Sequence, residues 1–268
     1  MSGIRDFEYA GWQAAADAYA ATFAGATRPF VEPLLDAVSA AAGVTILDVA
    51  CGPGVVSAQA AQRGAKTSGI DFSPEMVRLA KAAYPALDFR VGDAEQLPFA
   101  DAAFDAAIVN FGLHHFEHLE TALREIRRVL RPLGRFAYTK WVSQGDNPPY
   151  CAILDAIAAY GTMDVAMPAG QDASLDIDAL NRMVVAAGFT LDIAEMKPTE
   201  KIWRLPREAD LIDVFQTATA RMATLLRGQT PQAMSRIRTQ VAETVRRYLR
   251  DAAMEIPVRA FVVAGSVA

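Results

Sequence analysis

An apolar run, Val44-Thr45-Ile46-Leu47, ends in a carboxylate at Asp48. It then turns through Val49-Ala50-Cys51-Gly52-Pro53-Gly54 into an alanine-rich helical segment. This is the pattern of a strand, a tight glycine loop and a helix N-terminus, which lets backbone approach a nucleoside ligand closely. One glycine turn after a strand says little. Here, however, Asp71 and Asp93 follow at the next two strand ends and Asn110 at the one after. Ligands of an open doubly wound sheet bind beyond the carboxyl ends of its strands, so one ligand could touch all four residues.

The alternation continues from residue 44 to 141. Strands are predicted at 44–48, 67–71, 87–91, 104–110 and 133–141, with helices at 54–63, 74–83 and 118–130 between them. Strand–helix alternation at this spacing predicts right-handed βαβ crossovers and a mostly parallel sheet with helices on both faces. Ser73-Pro74-Glu75 reads as a helix cap, a proline at the first helical position and an acid at the positive end of the helix dipole. Residues 5–42 read as two helices split near Gly25–Pro29. Further helices are predicted at 148–161 and 176–187, a sixth strand at 189–197 and a final one at 256–266. Between those strands, Leu211, Phe215, Ala218, Met222 and Leu225, and then Met234, Ile237, Val241, Val245 and Tyr248, repeat at helical period. The expectation is one α/β domain over 1–268, a doubly wound sheet of seven strands. Within it, 1–42 form an N-terminal helical lid, 43–145 a cofactor-binding core and 200–253 a helical cap inserted before the last strand.

A hydrophobic content of 52% supports a full core, and the formal net charge of −5 argues against a nucleic-acid-coating surface. Cys51 and Cys151 have no CxxC or histidine-rich company, so neither a disulfide framework nor a zinc site is expected. Charged residues at Arg5, Asp6, Glu8 and Asp17 exclude a signal-peptide core, and no run suits a membrane span. The expected setting is cytoplasmic, with the protein a monomer or homodimer.

Two nucleoside cofactors compete for the glycine loop. A dinucleotide site also expects a glycine turn and a ribose-binding acid. The loop Gly52-Pro53-Gly54-Val55-Val56-Ser57 lacks the third glycine of GxGxxG, and Asp48 puts negative charge where a pyrophosphate would sit. The same charge suits a cofactor that carries an ammonium and a sulfonium. The run Leu47 to Gly54 resembles the first motif of class I S-adenosylmethionine-dependent methyltransferases, and Gly69-Ile70-Asp71-Phe72-Ser73-Pro74-Glu75-Met76 resembles their second. Gly92-Asp93-Ala94-Glu95-Gln96-Leu97-Pro98-Phe99, then Phe104-Asp105 and Leu113-His114-His115-Phe116, look like the branch of ubiquinone and menaquinone biosynthesis. Two departures stand out: Ala50 replaces a usual glycine, and Arg131-Pro132-Leu133-Gly134 replaces Arg-Pro-Gly-Gly.

The resemblance implies a Rossmann-like methyltransferase fold, S-adenosylmethionine as cofactor and S-adenosylhomocysteine as product. It implies that Asp71 holds the ribose, that Asp93 and Ala94 hold the adenine and that Phe72 and Met76 pack on its face, with Glu95 a further cofactor-binding residue. Ala50, Gly52 and Asn110 would approach the methionyl portion through backbone groups, with Gly54 also cofactor-binding and Asp48 ordering the loop or the ammonium. Cap segments rich in Ala, Met, Leu and Phe point to a small, largely apolar acceptor; the alternatives are a protein or nucleic-acid methyltransferase, or a protein that binds S-adenosylmethionine without methylating.

Asp146-Asn147-Pro148-Pro149-Tyr150 spells a step found in methyltransferases that act on exocyclic amines, but there it follows the fourth strand and here the fifth. It reads first as a helix start. Asp146 and Tyr150, with Trp12, Tyr19 and Trp141, are candidates for the substrate pocket, although Trp12, Tyr19 and Phe23 also fit a core stripe. His114 or His115 is the candidate general base; no metal site is expected from the histidines. Seven arginines between 221 and 250 face one acid, Glu243, and read as a solvated helix face.

Overall fold

The computed structural model describes residues 3–168, 176–192 and 197–268. β1 (Thr45–Val49), β2 (Lys66–Asp71), β3 (Asp88–Val91), β4 (Phe104–Val109) and β5 (Leu130–Trp141) are parallel neighbours in the order β3-β2-β1-β4-β5. Beyond β5 the sheet turns antiparallel through β8 (Ala253–Val267) to β6 (Phe189–Leu191), and β7 (Thr199–Pro206) pairs with β8. Strand order reverses at β1, between β2 and β4, where a doubly wound sheet opens its ligand crevice.

Contacts group the described residues into two compact units, one from 30–141, 170–199 and 260–268, the other from 1–29, 142–169 and 200–259. The first is the sheet unit. Its central strands are buried on both faces, as side chains of period two require. Ile46, Ala106, Ile108 and Ala137 pack with α3 (Val31–Ala37) and α4 (Val55–Gln62). Leu47, Val49, Ala107, Val109, Phe136 and Tyr138 pack with α6 (Leu119–Val129) and α8 (Ile177–Ala186). α5 (Pro74–Ala83) starts as its sequence predicts, with the Ser73 hydroxyl accepting from the Met76 N–H at 3.2 Å.

The second unit holds α1 (Ile4–Ala18), α2 (Ala24–Thr27), α7 (Pro148–Tyr160), α9 (Leu211–Ala218), α10 (Arg221–Arg227) and α11 (Pro231–Val245). Trp203 is its largest fully buried side chain and donates through Nε1 to the Thr22 carbonyl at 3.3 Å. Buried Glu8 meets the Arg221 Nε at 2.7 Å and accepts from Trp12 Nε1 at 3.1 Å. Arg238 pairs with Asp210 and Asp213. Arg227, Arg236, Arg246, Arg247 and Arg250 are exposed, as a solvated face requires.

Several expectations are corrected. The split expected near Gly25–Pro29 falls at its Pro29 end, in a 3₁₀ turn at Arg28–Phe30, while an unexpected π-helical stretch at Tyr19–Phe23 leads directly into α2. The supposed helical insertion opens with a strand, β7, which brings the sheet to eight strands. Buried Trp203 and Leu205 alternate there with exposed Ile202 and Arg204, a period-two signal masked by its charged residues. The apolar stripe of 211–225 is cut at Thr219, whose extended backbone separates α9 from α10. β6 ends at Leu191, and residues 193–196 of the longer expected strand lie outside the described residues.

The two departures from the family motifs keep a glycine-like backbone: Ala50 has φ +56° and Leu133 φ +64°. At Leu133 the chain bulges, since Phe104 pairs with Leu130 whereas Ala106 already pairs with Arg135. Leu133 is 77% exposed, so its side chain contributes little packing to offset the left-handed strain. Leu133→Gly should therefore stabilise the protein by about 0.5–1 kcal/mol, after allowing for the entropy of glycine. Thermal unfolding would register this as a rise of about 1–4 °C, and a fall would show that the bulge carries no such strain.

Candidate functional site

All eleven sequence-predicted cofactor residues belong to the sheet unit, at or after the carboxyl ends of β1, β2, β3 and β4. Asp71 closes β2 with its carboxylate almost wholly buried, at 6% exposure. Its Oδ2 accepts from the Gly52 N–H and its Oδ1 from the Ser73 N–H, both at 2.9 Å. Burial pushes the Asp71 carboxyl up to about 6, against the pull of those two N–H groups and of nearby His115. A carboxylate has about four lone-pair directions and two are used, so Asp71 can still accept from a vicinal diol.

Asp48, the next-to-last residue of β1, is 1% exposed. One oxygen, Oδ2, accepts from both the Ser57 N–H (3.0 Å) and the Ser57 hydroxyl (2.8 Å), which anchors the first turn of α4. The other, Oδ1, is buried and has no hydrogen-bond partner. Burial pushes Asp48 up to about 7, Ser57 opposes the shift and Asp71 adds to it. Asp48 therefore orders the loop and also keeps one acceptor in reserve.

Backbone shape completes the loop. Ala50, Gly52 and Gly54 hold φ of +56°, +52° and +82°. A Cβ on Gly54 would come within 2.6 Å of the Phe89 ring, so only glycine fits there. Across the reversal point Phe111 also has a left-handed backbone, φ +58°. Thr139 steadies it, accepting from the Phe111 N–H at 2.8 Å while donating to Asn110 Oδ1 at 2.9 Å. The Phe111 ring stacks on Trp141 with centroids 3.9 Å apart, and Phe30 meets both edge-on. Trp141 thus stands at the end of β5 within an aromatic trio.

Asp93 follows β3 and accepts from the Glu95 N–H at 2.9 Å in a turn closed by Gln96. Arg128 on α6 holds the rest of this loop, donating to the Leu97 and Phe99 carbonyls and to Glu125 and Asp101. Ala94 and Met76 are buried, Phe72 half-buried. The Glu95 carboxylate accepts the His118 N–H and meets His118 Nδ1, each at 2.8 Å. His114 and His115 lie in a 3₁₀ turn with ring centroids 3.9 Å apart, and His115 is close enough to Asp71 to act on its charge.

The remaining candidates, Trp12, Tyr19, Asp146 and Tyr150, belong to the second unit. Trp12 and Tyr19 meet edge to face at 5.5 Å, and Tyr150 meets Phe215 at 5.0 Å. Asp146 is exposed and accepts from the Ser143 hydroxyl at 2.6 Å, whereas its neighbour Asn147 is the buried member of the step. Sequence reasoning missed Ser57, Thr139, Arg128 and Asn147. Only Ser57 had a local signal, its place in the first turn after the glycine loop. Among the described residues no cluster of three metal-binding side chains occurs, and no helix is long and apolar enough to cross a membrane.

The donor set fits a nucleoside that carries a cation. Asp48 has an unused buried acceptor for an ammonium, and Asp71 has spare capacity for a diol. Comparisons with known proteins agree. The methyltransferase domain family matches residues 47–138. The chain is 39% identical over 117 residues to a demethylmenaquinone methyltransferase of Renibacterium salmoninarum, covering 44% of this chain and 49% of that protein. It is 43% identical over 96 residues to the ubiquinone/menaquinone biosynthesis C-methyltransferase UbiE of Rubrivivax gelatinosus, covering 35% and 38%. The chain spans about half the length, or less, of these curated relatives. The solved structure of YcgJ from Bacillus subtilis superposes with a TM-score of 0.57 at 19% identity, over 88% of this chain and 97% of that one, and shows the same fold. Residues 47–138 of the chain thus match the methyltransferase domain family, and the fold is that of this solved neighbour.

Proposed function

We propose that this protein transfers a methyl group from S-adenosylmethionine to a small-molecule acceptor, releasing S-adenosylhomocysteine. The observation that carries this reading is the row of polar groups at the ends of four adjacent parallel strands, with one buried oxygen of Asp48 left for a ligand. When bound, the cofactor supplies an electrophilic methyl on a sulfonium. The protein's part is to position and desolvate. Alignment of two bound reactants can contribute about 7–11 kcal/mol, and a dry apolar surround favours dispersal of the positive charge. Asp71 would hold the ribose, Asp93 and Ala94 the adenine, and Asp48 the ammonium. Phe72 and Met76 would pack on the base, and Ala50, Gly52, Gly54 and Asn110 would line the methionyl portion.

The similarity to demethylmenaquinone and ubiquinone/menaquinone methyltransferases supports a quinone-type ring as the acceptor class. The acidic balance of the chain supports such an acceptor over a nucleic acid. Residues 1–42 and 200–253, outside the matched segment, are assigned the choice of acceptor. The same reading places the protein in the cytoplasm as a monomer or homodimer. His115, beside His114 and within electrostatic reach of Asp71, is proposed as general base for an acceptor proton.

Calorimetry with S-adenosylhomocysteine tests the cofactor assignment. Asp71→Asn should weaken binding at least tenfold, about 1.4 kcal/mol, as loss of a charge-assisted bond requires. Unchanged affinity would remove Asp71 from the site.

The raised carboxyls give a pH signature with a definite sign. Asp48 and Asp71 keep protons in the native protein above the ordinary 3.8, up to about 7 and about 6. The unliganded native state therefore binds more protons than the unfolded chain in this window and loses stability as pH rises through it. A ligand that needs both carboxylates ionised has the opposite preference. S-adenosylhomocysteine affinity should thus rise between pH 5 and pH 7, by about tenfold from Asp71 alone. A flat titration across that window would show that neither acid contacts the ligand.

For His115, the alanine variant should bind S-adenosylhomocysteine within a fewfold of the parent. Turnover should fall by ~10²–10⁴; unaffected turnover would make the imidazole scaffolding.

A further inference from the structure

Asn147 stands just before α7, where a polar side chain ordinarily accepts from the N–H of the second or third helical residue. Here Pro148 and Pro149 fill the first two positions and have no N–H to offer. The Tyr150 N–H remains, and the Asn147 side chain does not accept it. The helix closes its first turn through the backbone instead, Cys151 N–H to Asn147 carbonyl at 3.0 Å. The Asn147 carboxamide is nevertheless 1% exposed, and neither its Oδ1 nor its Nδ2 has a hydrogen-bond partner. A buried amide with both ends unpaired is costly to fold around. The capping role that would explain an asparagine here is one the two prolines have removed, so the group answers to a partner outside the fold.

Its surroundings in the same unit indicate what partner. Tyr150 lies one helical turn on and is half-buried. Its ring rests against Phe215 at 5.0 Å, and its hydroxyl has no hydrogen bond among the described residues. Tyr19 is near enough to Tyr150 to act on its ionisation. The Tyr19 hydroxyl shares a bond with Thr27 Oγ1 at 3.2 Å, and its ring meets Trp12. A carboxamide with a free acceptor and free donors therefore precedes by one helical turn a phenol whose own ring lies among aromatic side chains.

We infer that Asn147, with Tyr150, recognises the polar edge of a flat aromatic ligand that presents a hydroxyl beside a carbonyl, and that this ligand is the methyl acceptor. The second clause rests on the methyl-transfer reading above. Asn147 Oδ1 accepts from the ligand hydroxyl and Nδ2 donates to the ligand carbonyl, a two-point match that fixes the ring's orientation. This shifts the recognition role within the Asp146-to-Tyr150 step from exposed Asp146 to buried Asn147.

The test uses the full chain with 2-hydroxy-1,4-naphthoquinone as probe, followed by tryptophan quenching, and S-adenosylhomocysteine as a separate ligand. Asn147→Leu keeps the volume and removes both polar atoms. It should leave the thermal midpoint unchanged or raise it by about 2–4 °C, because an unpaired buried amide is gone. It should weaken probe binding at least tenfold and leave S-adenosylhomocysteine affinity within twofold. Asn147→Ala, free of any steric clash from leucine, should repeat the loss of probe binding. A midpoint lowered by several degrees in both variants would make Asn147 structural and overturn the inference. Equal probe affinity in parent and variants, or no probe binding by the parent, would also overturn it. Failure of the parent to bind S-adenosylhomocysteine would strike the methyl-transfer reading, and is distinguishable because the probe titration reports on Asn147 alone.

Discussion

One buried carboxylate organises the cofactor end of the sheet. Asp71 accepts from Gly52 on the β1 loop and from Ser73 at the head of α5, so two loops from adjacent strands share a single anion. Ser73 in turn caps α5, and the Cys51 N–H bonds to the Ile70 carbonyl at 3.0 Å just beside it. A charge taken from water must find donors, and the two backbone N–H groups are arranged to supply them. The opposing effect of burial keeps the group titratable near neutrality. Loop geometry and ligand-binding capacity are therefore set by the same side chain.

Asp48 shows the same economy on the neighbouring strand. It fastens α4 through Ser57 and leaves one oxygen without a partner, a buried defect that a ligand cation would remove. Around it the backbone takes left-handed conformations at Ala50 and Phe111, which side chains adopt at a cost. Such strain persists only where the surroundings dictate it. Here the surroundings are the Thr139 hydroxyl, the Asn110 amide and the ring stack of Phe111 on Trp141. Polar groups and strained loops thus gather at one rim of an otherwise apolar sheet.

The rim was legible in the chain because strands end where apolar runs end, and because an acid followed by glycines has few other uses. Asp48, Asp71 and Asp93 were found from that local grammar, as was the cap at Ser73. β7 was not, since Glu200, Lys201 and Arg204 dilute an alternation that only Trp203 and Leu205 carry. The break at Thr219 was also hidden, because an apolar stripe at helical spacing continues across it. Glu95 illustrates a different limit: its partner His118 lies 23 residues away, and nothing nearby in the chain announces the pairing.

The amino-acid sequence by itself determined the parallel core, the glycine loop and the acids at successive strand ends, because these follow from side-chain period and turn chemistry over a few residues. Tertiary structure decided how each acid is used: Asp71 spans two loops, one Asp48 oxygen stays unpaired, and Asn147 rather than Asp146 is buried. Burial and hydrogen-bond satisfaction are properties of what surrounds a group in space. Residues far apart in the chain create those surroundings, so no local pattern can report them.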